Sequence, residues 1–61
     1  MRNAIPNKTY WFTDKETGED FFVEATNPQL AKSIAKKYFD APIFLGRVSE
    51  REAEEMGYDT Y

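Results

Sequence analysis

Lys8-Thr9-Tyr10-Trp11-Phe12-Thr13-Asp14-Lys15-Glu16-Thr17-Gly18-Glu19-Asp20-Phe21-Phe22-Val23-Glu24-Ala25 holds two runs of β-forming residues around a turn. Thr9 to Thr13 and Phe21 to Val23 are aromatic and β-branched, types that fit a pleated, half-buried surface. Between them Gly18 stands where the chain needs a left-handed residue, so the stretch reads as a β-hairpin with the loop Lys15 to Gly18. Asp14 then faces Glu19, Phe12 faces Phe21, Trp11 faces Phe22 and Tyr10 faces Val23. Because side chains alternate across a strand, Tyr10, Phe12, Phe21 and Val23 share one face, and Trp11 and Phe22 share the other with Thr9, Thr13, Asp20 and Glu24. One aromatic face is expected to be core, and the other needs something to cover it.

Downstream of the hairpin, Asn27-Pro28 reads as a helix start, with Asn27 as N-cap and Pro28 where a missing N–H costs nothing. The helix is expected to reach about Phe39. Leu30, Ala31, Ile34, Ala35, Tyr38 and Phe39 fill one side of it, and Gln29, Lys32, Ser33 and Lys36 fill the other. Pro42 disfavours helical geometry at Ala41 and ends the helix, so Ile43 to Val48 reads as a third strand, with Ile43 and Leu45 on one face and Phe44 on the other. After a helical crossover the simplest position for it is antiparallel beside the first strand. Ser49-Glu50-Arg51-Glu52 is a capping box opening a short helix from Glu50 to Met56, and Gly57 is its left-handed stop, with Tyr58 placed to pack back on Ala53. The tail Asp59-Thr60-Tyr61 carries no preference of its own. The expected fold is thus α+β, ββαβα: a three-stranded antiparallel sheet of order 2-1-3, one helix packed on a face, and a short C-terminal helix.

A length of 61 residues with 41% hydrophobic and 16% aromatic content suits a single domain, residues 1–61, and is too apolar for a disordered chain. With no cysteine and no histidine, disulfides and ordinary zinc sites are excluded, which leaves aromatic packing or self-association as the source of stability. The first seven residues hold no apolar run resembling a signal peptide, and no window approaches the roughly 20 apolar residues that cross a bilayer. A soluble, cytoplasmic protein without a membrane partner is expected, and Asn7-Lys8-Thr9 is then a chance match to the glycosylation pattern.

The acids invite a search for catalytic or metal sites. Asp14, Glu16, Glu19 and Asp20 cluster near the turn, but Gly18 falls one position too early for a calcium-binding loop and the distal glutamate is missing. Glu50, Glu52, Glu54 and Glu55 read as a solvated helix face whose first-turn acids suit the helix dipole. Without His or Cys the nucleophile candidates shrink to Ser33 and Ser49, and Gly18, Gly46 and Gly57 are too scattered to cradle a phosphate. No catalytic residue, cofactor or metal is expected, and no enzymatic activity.

Charge points elsewhere. Residues 8 to 24 carry two basic and five acidic side chains, residues 47 to 61 repeat that balance, and the first helix has Lys32, Lys36 and Lys37 with no acid. Trp11, Phe22 and Phe44 on an open sheet face would suit stacked bases, but their acidic surroundings repel phosphate, so direct nucleic-acid binding is disfavoured. The same surface suits a basic protein, with Trp11, Phe22 and Phe44 as anchors and Asp20, Glu24, Glu52 and Glu55 as charge partners. Two other arrangements use the same aromatic face. In one, the second helix folds over Trp11 and Phe22 as a small second core; in the other, two copies meet there as a homodimer.

Tyr-Trp-Phe-Thr-Asp-Lys-Glu-Thr-Gly-Glu (10–19), Phe-Val-Glu-Ala (22–25), Ala-Lys-Lys-Tyr-Phe (35–39) and the segment from Val48 to Tyr61 together resemble the small acidic proteins of unknown function found in phages and mobile elements of Gram-positive bacteria. The resemblance assigns no functional residue. It implies a protein that, as such proteins often do, occupies a site on a host protein, including nucleic-acid-handling defence enzymes whose basic channels an acidic surface can block.

Overall fold

The alternation of the hairpin sets the register of the sheet. In the computed structural model, which describes residues 7–61, β1 (Lys8–Asp14) and β2 (Asp20–Ala25) pair antiparallel with Phe12 opposite Phe21, Trp11 opposite Phe22 and Tyr10 opposite Val23. Residues 1–6, most of the stretch read as lacking a signal peptide, lie outside the described residues. The Asp14 amide donates to the Glu19 carbonyl at 2.8 Å and the Gly18 amide to the Asp14 carbonyl at 2.7 Å, with Gly18 at φ 73°. Asp14 is buried, and its carboxylate accepts from the Glu16 amide at 3.3 Å and the Thr17 hydroxyl at 3.2 Å. The acids of this turn therefore include one that builds the turn itself.

Helix α1 (Pro28–Tyr38) starts at Asn27, whose side chain accepts from the Leu30 amide at 2.8 Å. It lies on the face formed by Tyr10, Phe12, Phe21 and Val23, and meets it through Ala31 and Ala35, both fully buried. Two small residues one turn apart let the helix backbone approach the sheet closely, while the larger Leu30 and Tyr38 stay exposed on its flanks. Phe39 leaves the helix in an extended conformation, and its ring stacks on Phe21 at 3.9 Å between centroids.

Strand β3 (Pro42–Val48) pairs antiparallel with β1, giving the order β2-β1-β3 and the expected ββαβα, α+β architecture. Its facing differs from the simple alternation. Phe12 pairs with Phe44 and Trp11 with Gly46, so Leu45 is an extra residue in a bulge. Phe44 therefore shares the α1 face, with its ring 5.5 Å from that of Phe12 and 5.9 Å from that of Tyr10, and does not join Trp11 and Phe22. Ile43 opposes Thr13 on the other face. Gly46 adopts φ 146°, a backbone conformation that side chains resist, and this allows the strand to absorb the extra residue.

Helix α2 (Glu50–Met56) carries the full capping box. The Ser49 hydroxyl accepts from the Glu52 amide, and the Glu52 carboxylate accepts from the Ser49 amide, both at 3.1 Å. Gly57 ends it at φ 73°. The tail then lies parallel along the free edge of β2: the Phe22 amide donates to the Asp59 carbonyl, the Tyr61 amide to the Phe22 carbonyl and the Glu24 amide to the Tyr61 carbonyl, at 2.8–3.0 Å. Tyr58 packs on Phe22 on one face of the sheet, with ring centroids 5.4 Å apart. Tyr61 packs edge-on against Phe21 and Phe39 on the other.

Candidate protein-binding site

On the face that the hairpin presents away from α1, the aromatic residues are unevenly covered. Phe22 has no exposed surface, Thr9 is more than nine-tenths buried and Trp11 is half-buried. With α2 and the tail in place, Phe22 and Tyr58 form the small second core, so Phe22 is not an open anchor. Phe44 has left this face through the bulge, and Trp11 is a partial one at most.

What stays open is the space between α2 and the end of the sheet. Glu50, Ala53, Glu54 and Gly57 follow the spacing i, i+3, i+4, i+7 and so form one stripe of α2, which faces Thr9, Glu24, Tyr58 and Thr60 across a cleft of about 390 Å³. The stripe explains the cleft. An unpaired carboxylate loses several kcal/mol of hydration on burial, on the order of the stability of a small domain, so a helix with two glutamates on its inner stripe does not close onto a sheet. Accordingly α2 buries none of its residues, and Ala53 alone is half-buried. The cleft is lined by Glu24, Glu50 and Glu54 and by no basic residue, together with Tyr58 and Thr9. Such a lining is chemically suited to a cation that brings an apolar stem.

The acidic residues expected to steer a partner are dispersed. Glu24 lines the cleft. The Glu52 carboxylate is taken by the capping box, and Glu55 is exposed on α2 away from the inner stripe. Asp20 is half-buried on the cleft face at the opposite end of β2, four residues or about 13 Å along the strand from Glu24. Glu50, Glu54 and Tyr58 complete the cleft instead. Their helical spacing around Ala53 was present in the sequence; reading the glutamates as an outward face concealed it.

Among the described residues no group of His, Cys, Asp or Glu is arranged to hold a metal ion, and no helix is long and apolar enough to cross a membrane. Comparison with protein-family models, with curated proteins and with solved structures finds no match to the chain.

Proposed function

We propose that the protein is a non-enzymatic protein-binding module that receives a basic side chain of a partner in the cleft between α2 and β2. The observation that carries this reading is the convergence of Glu24, Glu50 and Glu54 with Tyr58 on one cleft whose own lining holds no basic residue, Lys8 and Arg47 lying in the hollow beyond Glu50. A lysine or arginine entering there lays its methylene stem on Tyr58 and brings its charge to the carboxylates. In its sharper form the module covers a basic channel of a nucleic-acid-processing host or defence protein, as the resemblance to phage and mobile-element proteins implies. A homodimer through Trp11 and Phe22, or stacking of single-stranded nucleic acid on them, would first require Tyr58 and the tail to leave Phe22.

Titration with a short arginine- and lysine-containing peptide, followed by amide shifts, tests the reading. Shifts are expected to centre on Glu24, Ala53 and Gly57, and to weaken with added salt. Glu50→Lys with Glu54→Lys is expected to lower affinity by about tenfold or more. Shifts spread evenly over all acidic segments, or unchanged affinity in the double variant, would remove the cleft from the reading. For the sharper form, the expected result is that the protein competes with nucleic acid for a basic partner.

A further inference from the structure

The two edges of the sheet are treated differently by the chain. The β2 edge is covered by three backbone hydrogen bonds with the tail. The outer edge of β3 has no neighbour among the described residues, and its Ile43, Phe44 and Leu45 are 42%, 36% and 46% exposed. Apolar edges are normally shortened, charged, bulged or covered, because their free N–H and C=O groups accept another strand; β3 has Pro42 at its start and the Leu45 bulge, but no covering segment among the described residues. Within the strand the charge has one sign, and Glu50 adjoins Arg47 just past its end. Pro42–Val48 contains Arg47 and no acid, and Lys32 reaches from α1 over the Phe44 ring, with Nζ 5.3 Å from its centroid. Arg47 opposes Tyr10 and so lies on the same face as Phe44 and α1. Lys36, one turn beyond Lys32, adds to the same side.

From this geometry we infer that the outer edge of β3 is a docking site for an extended, acidic segment of another protein, paired strand to strand. Backbone hydrogen bonds supply the pairing, Phe44 and Leu45 the apolar contacts, and Lys32 and Arg47 the selection for carboxylates. A second copy of the chain is the poorer occupant. Antiparallel pairing of β3 with itself about a twofold axis brings Lys32 and Arg47 of one copy toward those of the other, like charge against like. Lys32 and Phe44 lie on the opposite face of the sheet from the Glu24–Glu54 cleft, whereas Arg47 shares a hollow with Glu50 at the end of β3, so Lys32 on this surface and Glu54 in the cleft are the positions that separate the two sites by mutation.

The test uses the full chain and a capped peptide of about eight residues alternating valine and glutamate, with a valine–lysine peptide as its counterpart. The expected result is slowed amide exchange within Ile43–Val48 on adding the glutamate peptide. Binding should weaken with salt and fall about tenfold in the Lys32→Glu, Arg47→Glu double variant, both positions being exposed. Glu54→Lys should leave it unchanged. Equal binding of the lysine peptide, or protection at the cleft rather than at β3, would overturn the assignment. So would a concentration-dependent rise in mass by light scattering with the same β3 amides protected and no peptide present, since the occupant would then be a second copy.

Discussion

Trp11 and Phe22 stand opposite one another on the same face of the hairpin, yet Phe22 is fully buried and Trp11 is not. The difference lies in their neighbours. Phe22 has the Tyr58 ring against it and the tail along its backbone, whereas the partner of Trp11 on β3 is Gly46, which offers no side chain. The Trp11 indole Nε1 is nevertheless buried and lacks a hydrogen-bond acceptor among the described residues. An orphaned donor of this kind costs about 1–3 kcal/mol, which offsets much of what the larger ring gains by burial. Trp11→Phe is therefore expected to change stability by less than about 1 kcal/mol in urea unfolding; a loss above about 2 kcal/mol would mean that the N–H is satisfied. Phe21 is the opposite case. It stacks between Phe12 and Phe39, with Tyr61 at its edge. Phe21→Ala is expected to cost about 3–5 kcal/mol, comparable with the whole stability of a domain this size, and to leave the chain unfolded by circular dichroism at 25 °C. A folded Phe21→Ala protein would show that the α1 core is not the principal source of stability.

At the scale of elements, the hairpin, α1 and both ends of α2 were legible because each is written in local chemistry: alternation, Gly18, Asn27-Pro28, Ser49 with Glu52, and Gly57. The facing of β3 was not, because a bulge depends on how Gly46 meets its partner strand and leaves period-two alternation in the sequence unmarked. Nor was the tail, whose three residues have no intrinsic preference and become ordered against β2. There it holds both faces at once, through Tyr58 on Phe22 and Tyr61 on Phe21 and Phe39. This makes the tail the fastening of α2, a seven-residue helix that is too short to persist alone and buries nothing. Tyr61→Ala is accordingly expected to lower stability by about 1–2 kcal/mol through its lost edge-on aromatic contacts. The same change should speed amide exchange together at Phe22 and Glu24, which donate to the tail, and at Ala53 and Gly57, which donate within α2. Faster exchange at Phe22 and Glu24 alone would show that α2 is held independently of the tail.

The whole molecule is one sheet with unequal layers. On one side α1 buries Ala31 and Ala35 against five buried strand residues. On the other, α2 stands off the sheet over a cleft, and the buried aromatic surface is that of Phe22 and part of Trp11, whose Nε1 is buried. Charge follows the same division, with the lysines on α1 and Glu50, Glu52, Glu54 and Glu55 on α2, so the acidic layer is also the weakly packed one. Such a layer is well suited to adjusting to a partner, because moving it disturbs little buried surface, and it is expected to open before the rest of the fold. Trp11 is the only tryptophan in the chain and sits on that side, which makes the opening visible. In a urea titration, the red shift of Trp11 emission should run ahead of the loss of far-ultraviolet circular dichroism from the sheet and α1. A basic peptide seated in the cleft bridges α2 to Glu24 and should draw the two transitions together, as any ligand selective for the closed state must. Coincident transitions without peptide would instead make the protein a single cooperative unit, and the cleft a rigid receptor.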